Sequence, residues 1–406
     1  MALFVHRSNR VESLLDEVEK IVSGPVSDPI RSELIAVPSR GFERWIAMEL
    51  AKRFSVWGHP EFPFPQRFIW DVIDAAIGED SGTRWEPDEL MWRIARLLPA
   101  HMGQDSFGDI AHYLENDVDG IKLVQLARRI SDVFDQYAVF RPQMVLGWQN
   151  GIGAEDWQAI LWRELVTELG SNHVAARSAR AIERLRDRSV SIDGLPERAC
   201  VFGLSSMPPL YLKVIEGLSR RGDVHLFVLS PCRHYWADIQ SPRAQQLTLL
   251  DALGTAPEDL HLRQGHPLLA SLGRLGREFQ SSLEDLHGYR EAADLYRDPG
   301  QSTLLCRIQS SLLDLDPKVH VGPDSSVQVH ACHSALREVE VLRDSLLDIF
   351  SQRPDLDPSE VVVLAPDIEV YAPIIEGVFG SAFQGSPGYI PFVISDRPQR
   401  AVGRVA

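Results

Sequence analysis

Cysteine is scarce in this 406-residue chain: there are four, and no two form a CxxC pair. Cys200, Cys232, Cys306 and Cys332 lie too far apart for a zinc ribbon, and they fit reduced thiols better than a disulfide scaffold. No run nears the ~18–20 consecutive apolar residues that a membrane span requires. The opening residues turn polar at His6-Arg7, which leaves no signal-peptide core. Positive charge is also short, because 41 Lys and Arg face 57 Asp and Glu for a net charge of −16. A protein that coats duplex DNA with its whole surface is usually basic, since phosphate neutralisation supplies most non-specific affinity. The balance therefore argues against a general DNA-coating protein. It leaves room for a local DNA groove, or for a subunit whose partners bring the positive charge. With 44% hydrophobic and 24% charged residues, the composition is that of a globular protein, not a disordered chain, a collagen or a coiled-coil rod. At roughly 150 residues per domain, two or three domains are expected in a soluble, intracellular protein.

The first 55 residues alternate strand, turn and helix. Leu3-Phe4-Val5 reads as a strand, and Ser8 or Asn9 as the cap of a helix, with Asn9 and Glu12 at capping-box spacing. Val11, Leu14, Leu15, Val18, Ile21 and Val22 mark one apolar helical face. A second strand at Leu34-Ile35-Ala36-Val37 leads through Pro38-Ser39-Arg40-Gly41 into a helix around Trp45, Met48, Glu49 and Lys52. Such alternation predicts a parallel α/β sheet. From about Ile69 to Leu185 the pattern is mostly helical. Strand–helix alternation returns with strand Ala199–Phe202, helix Pro209–Leu218 and strand Val224–Leu229. A polar, partly helical stretch spans about 242–323, with helices at Leu268–Leu286 and Thr303–Leu315. A last α/β unit is expected after it: strand Val327–His330, helix Arg337–Phe350, strand Val361–Leu364, helix Ala372–Phe379 and strand Phe392–Ile394. Its rhythm is unfinished where the sequence stops, so a fragment is expected.

No catalytic centre is visible. A P-loop needs GxxxxGK[ST], because glycines let backbone N–H groups curl around phosphate while the lysine reaches the outer phosphates. The first turn, His6-Arg7-Ser8-Asn9-Arg10, has neither glycine nor lysine, and the second has only Gly41. Gly203-Leu204-Ser205-Ser206-Met207 lacks the second glycine of a GxSxG elbow, so an ordinary helix start is expected there. Glu115 to Gly120 resembles a calcium loop, but Leu126 stands where the bidentate glutamate belongs. His330, Cys332 and His333 have no second ligand group at metal spacing. Arg177, Arg180, Arg184 and Arg188 form a helical stripe that could track phosphates, although a solvated face is commoner. Eight of the nine tryptophans precede residue 163, and helix-spaced aromatics usually belong to a core even where base stacking is conceivable.

Several blocks carry more information than the composition does. They are His6…Ser8-Asn9-Arg10; Phe62-Pro63-Phe64-Pro65…Phe68-Ile69-Trp70-Asp71; Phe134-Asp135-Gln136-Tyr137…Arg141-Pro142; and Pro231 to Ile239. Pro267-Leu268-Leu269-Ala270-Ser271…Gly273…Leu275-Gly276-Arg277, Cys332 to Leu342, and Ile390 to Arg397 complete the set. In this order they closely resemble the RecC family, the gamma subunits of exodeoxyribonuclease V. The resemblance implies a P-loop, superfamily 1 helicase-like α/β fold without a functional Walker A motif. It implies an α/β domain 1A at 1–70 and 190–322, a helical 1B-like insertion at 71–189, and the beginning of a truncated 2A-like domain at 323–406. It further implies a non-catalytic subunit with RecB-like and RecD-like partners, which would hold the ATP and magnesium and supply motor and nuclease activity. Such a subunit helps split duplex ends, guides the 3′ single strand and scans it for a Chi-like sequence in double-strand break repair, in the bacterial cytoplasm near the nucleoid. No cofactor is expected for this chain.

The family's scanning positions fall on Pro38, Arg40, Arg44, Phe64, Trp70, Asp132 and Asp135. Trp70, Asp132 and Asp135 match the family pattern. Pro38, Arg40 and Arg44 replace polar uncharged residues, and Val174 stands in place of an arginine. Proline offers no side-chain hydrogen bond to a base edge, whereas arginine is the usual partner of guanine. A different sequence, or none, would then be read. Two other readings compete: an AddB-like subunit, which normally keeps a glycine-rich first turn, and an α/β hydrolase with Ser205 as nucleophile or a plain interaction module.

Overall fold

The computed structural model describes residues 1–28, 31–54, 57–58, 60–78, 85–240, 263–286, 288–291, 294–319, 322 and 324–395. Contacts divide the chain into two compact units, Met1–Val321 and Gly322–Ala406.

The first unit is built on a sheet of six parallel strands in the order β3-β2-β4-β5-β1-β8. These are β1 (Leu3–Ser8), β2 (Glu33–Ala36), β3 (Pro60–Glu61), β4 (Arg198–Leu204), β5 (Asp223–Leu229) and β8 (Arg290–Glu291). Parallel strands need crossovers, and helices cover both faces. On one face Ile35, Val37, Cys200, Phe202 and Phe227 pack with Leu14, Leu15 and Val18 of α1 (Val11–Val22) and with Ile46 and Leu50 of α2 (Arg40–Phe54). On the other, Leu3, Val5, Ala199, Val201, Val224 and Leu226 meet four helices: α3 (Pro65–Ile77), α9 (Val174–Arg186), α10 (Pro209–Leu218) and α12 (Arg274–Glu284). The strand period of two thus sorts alternate side chains into two cores.

Two local expectations change. Neither Ser8 nor Asn9 caps α1, whose N-cap is Arg10 without a side-chain bond. Both side chains reach instead to residues 295–297, a long-range contact that local spacing cannot reveal. Gly203 begins no nucleophile elbow, as expected, but it does not start the helix either, which begins at Pro209. Gly203 sits inside β4 at φ +72°, where the register to β5 slips between Phe202 and Leu204. The positive φ calls for glycine, and a Cβ there would also press on the Phe42 ring at 3.3 Å. Ser205 follows it, exposed on the surface.

Between β3 and β4 the chain is helical: after α3 come α4 (Pro87–Leu97), α5 (Gly108–Tyr113), α6 (Ile121–Phe140), α7 (Pro142–Gln149), α8 (Trp157–Leu169) and then α9. This stretch has its own core of Leu90, Ile94, Phe107, Phe134, Trp148, Trp162 and Leu165. Trp85 and Trp162 meet His173 edge to face and each other at a tilt, with ring centroids 5.0–5.2 Å apart. Most of the tryptophans are therefore packing residues, while Trp92 remains 62% exposed. The acidic turn before α6 is a cap, because Asp117 accepts the backbone N–H groups of Lys122 and Leu123. Among the described residues no group of His, Cys, Asp and Glu could hold a metal ion, in this turn or around His330 to His333.

After β5, strands β6 (Ile239–Gln240) and β7 (Arg263–Gln264) pair, and residues 241–262 lie outside the described set. The helix expected at 268–286 is two helices, α11 (Pro267–Leu272) and α12, broken at Gly273. The Trp236 ring lies against Gly273 and Gly276, where an added Cβ would approach it to 2.6 and 2.7 Å. α13 (Leu304–Leu313) follows, capped by the Thr303 hydroxyl.

In the second unit, α14 (Ala335–Gln352) and α15 (Ile368–Phe379) pack around Val339, Leu346, Phe379 and Ile390. The strands expected at 327–330, 361–364 and 392–394 are not formed. Those segments carry strand-type residues, but a strand exists only through ladder partners, which spacing along the chain does not supply. Val329, Leu364 and Val393 are instead 90–91% exposed. No helix among the described residues is long and apolar enough to cross a membrane.

Candidate nucleic-acid interface

The carboxyl ends of parallel strands are where open α/β sheets receive ligands. At the ends of β2 and β3 two loops run side by side, joined by the Val37 N–H to the Pro63 carbonyl at 3.0 Å. Pro38 is exposed, and Ser39 starts α2 by accepting the Phe42 N–H at 3.3 Å and, through its carbonyl, the Glu43 N–H. The Arg40 guanidinium lies 5.5 Å from the centroid of the Phe64 ring and is paired with Glu43 at 2.7 Å. Phe64 is 44% exposed. Arg44, one turn along α2, is exposed and has no hydrogen bond or ion pair among the described residues. Four of the seven expected residues therefore share one surface: a cation over an aromatic ring, a free arginine and a proline. An exposed cation–π platform can stack a base and neutralise a phosphate together.

Trp70 stands one and a half turns further along α3, partly buried against the sheet core. Its ring faces the guanidinium of Arg177, 5.7 Å from the centroid, and that guanidinium is 3% exposed and paired with Asp74. Arg177 is thereby withdrawn from the expected basic stripe. It pins α9 to α3 instead of facing solvent. Arg180 is bonded to Asn172, which leaves Arg184 exposed on the last turn of α9 and Arg188 exposed past its end. The C-terminal carbonyls of α9 are held by Arg221, which donates to the carbonyls of Arg184, Leu185, Asp187 and Val190. The stripe is largely structural.

Asp132 and Asp135 lie one turn apart on α6. Asp132 accepts from the Arg128 Nε at 3.3 Å, while Asp135 is partly buried. Burial, with the Asp132 charge second, holds the Asp135 carboxyl above the usual range. Asp135 in turn adds to the burial that pushes the hydroxyl of Tyr211, on α10, up to about 12. Val174, where the family pattern has arginine, packs against both the sheet core and the helical core. An apolar residue at that seam needs no charge partner.

The first turn is closed by the chain itself. Ser8 is fully buried, and the Asn9 side chain is bonded to the backbone of Arg297. Arg7, at the end of β1, is bound by Glu284 at 3.0 Å and by Glu291. Ser205 has no hydrogen bond among the described residues, so nothing in the structure activates it as a nucleophile.

A parallel α/β sheet, a helical stretch between its third and fourth strands, and an arginine–aromatic surface at the strand ends define the class: an α/β protein with an exposed cation–aromatic surface. The family model for the RecC N-terminal domain matches residues 3–315. The chain belongs to the RecC family. It is 35% identical to the RecBCD enzyme subunit RecC of Escherichia coli (strain K12), over 98% of this chain and 40% of that protein. The subunit of the same name from Haemophilus influenzae is 32% identical, over 97% of this chain and 40% of its own length. That of Mycolicibacterium smegmatis is 30% identical, over 94% and 34%. The chain thus spans about two fifths of the curated relatives it matches.

Proposed function

We propose that this chain acts as the non-catalytic, DNA-guiding RecC subunit of a RecBCD-type helicase–nuclease, with RecB-like and RecD-like partners in the cytoplasm. Its α/β unit is read as a superfamily 1 helicase-like fold without an ATP site. In that reading residues 1–70 and 190–322 form domain 1A, 71–189 form 1B, and 323–406 begin 2A. ATP and magnesium belong to the partners. The chain helps divide duplex ends, leads the 3′-ended strand along the loops at the ends of β2 and β3, and scans it for a Chi-like sequence. The observation that carries this reading is the Arg40–Phe64 pair beside the unpaired Arg44, an exposed cation–aromatic surface on a protein whose net charge is −16. Asp132, Asp135 and Trp70 are assigned to the same path by family membership. Because arginine favours guanine, the sequence read by Arg40 and Arg44 should differ from one read by uncharged residues.

The test is co-purification with the RecB-like and RecD-like chains, followed by ATP-dependent unwinding of a blunt duplex. A stable complex whose unwinding needs this chain supports the proposal. In that complex Arg44→Ala should weaken single-strand binding and lower the salt slope by about 1, with Phe64→Ala weakening it at constant slope. No complex and no effect on unwinding would reject the assignment.

A further inference from the structure

The N-terminus of α1 lies at the carboxyl end of β1, where open α/β sheets place small anionic ligands against unpaired backbone N–H groups. Here that position is covered by residues 294–303. Ser8 donates its hydroxyl to the Leu295 carbonyl at 2.8 Å and accepts the Arg10 N–H at 3.0 Å. The Asn9 amide makes a two-way pair with one peptide unit: its Nδ2 donates to the Arg297 carbonyl at 2.8 Å, and its Oδ1 accepts the Arg297 N–H at 2.9 Å. The Arg297 side chain reaches Asp16 on α1 at 3.3 Å, and Leu295 packs into the core beneath α1 and α2. Asp298 then accepts from the Gly300 N–H at 2.9 Å and the Ser310 hydroxyl at 2.7 Å, which fastens the segment to α13.

The chemistry of the turn is matched to a peptide group and mismatched to a phosphate. A carboxamide has both a donor and an acceptor, and a peptide unit answers both. An ionised phosphate offers only acceptors and would leave Asn9 Oδ1 without a donor. The adjoining cleft, lined by Arg7, Arg233, His234, Glu291, Asp294 and Tyr296, offers it no free arginine, because Arg7 is bound by Glu284 and Glu291 and Arg233 by Asp314. We propose that residues 294–303 are the resident ligand of the β1–α1 turn: a strap that occupies the anion position and holds β1, α1 and α13 in one arrangement without nucleotide.

Hydrogen exchange on the whole chain tests this, with Asn9→Ala, Asn9→Asp and Ser8→Ala beside the wild type, each with and without millimolar Mg-ATP. Asn9→Ala should speed exchange of the Arg297 amide at least tenfold, and Ser8→Ala should loosen peptides covering 294–300. Asn9→Asp keeps the acceptor but sets a carboxylate oxygen against the Arg297 carbonyl, so it should retain only part of the protection at Arg297. Mg-ATP should change neither residues 6–14 nor 294–303 in the wild type. The proposal is overturned if Arg297 exchange is unchanged in Asn9→Ala. It is equally overturned if Mg-ATP protects residues 8–11 while exposing 294–303, because the segment would then be a lid over a working nucleotide site.

Discussion

Acid should unfasten this protein through three histidines that the fold keeps neutral. His6 and His225 share a hydrogen bond of 3.1 Å between β1 and β5, flanked by Phe4 and Phe227. His173 is wholly buried in the helical core, where it accepts the Ala176 N–H and is bonded to Gln149. Burial pushes each imidazole from 6.5 down to about 4. Each group then takes up a proton on unfolding throughout the interval between those values, and in neither state above it. Stability is therefore full at neutral pH and declines as pH falls from 6.5 toward 4. Linkage makes this about 2 kcal/mol per histidine at pH 5, or roughly 4–6 kcal/mol for three groups of which two are coupled. The assay is an NMR titration of the imidazole protons, paired with denaturant curves at pH 7.5 and pH 5. His173→Asn, measured against its own neutral-pH stability, should reduce the acid loss by about 2 kcal/mol. A His173 midpoint near 6.5, or denaturation curves that coincide at the two pH values, would refute the reasoning.

Arg177→Ala should lower stability by about 2–3 kcal/mol, since it removes the partner of Asp74 and the cation over Trp70, and Arg177→Lys should restore little; thermal denaturation reads both. Gly203→Ala should cost about 1–2 kcal/mol from its positive φ alone, with a further loss from the Phe42 ring, also read in the melting temperature. Gly276→Ala should displace the Trp236 ring and alter the tryptophan emission spectrum, while Gly377→Ala, whose added Cβ would meet nothing within 4 Å, leaves that spectrum unchanged.

The parts of the fold legible in the sequence are those set by neighbours along the chain. The apolar face of α1, the strand run of β4 and the helical stretch after Ile69 all follow from periodicity, and the structure contains them. What escaped was set across the fold. Asn9 has capping-box spacing with Glu12, yet its partner lies 288 positions away. Arg177 shares a helical period with Arg184 and Arg188, yet α3 draws it inward to Asp74 and Trp70. Val361 to Leu364 carries strand residues that find no ladder among the described ones. At the candidate interface, only family resemblance pointed to Pro38, Arg40, Arg44 and Phe64. Their meeting at one surface depends on the pairing of β2 with β3 and its continuation through the Val37–Pro63 backbone bond, which no motif encodes.

The salt bridge between Asp74 and Arg177 has a consequence for how the chain could be dissected. It joins the helix by which the chain leaves the sheet to the helix by which it returns, so the two ends of a detour about a hundred residues long are neighbours. The helices between them have a core of their own. A short glycine–serine linker from Gly78 to Val174 should therefore excise α4 to α8 as a cassette and leave a miniature sheet protein, and the excised piece could be grown or studied by itself. The detour has a second foothold besides this socket, because Val139 of α6 lies in the sheet core, so a resized detour must keep that contact to leave the strands undisturbed.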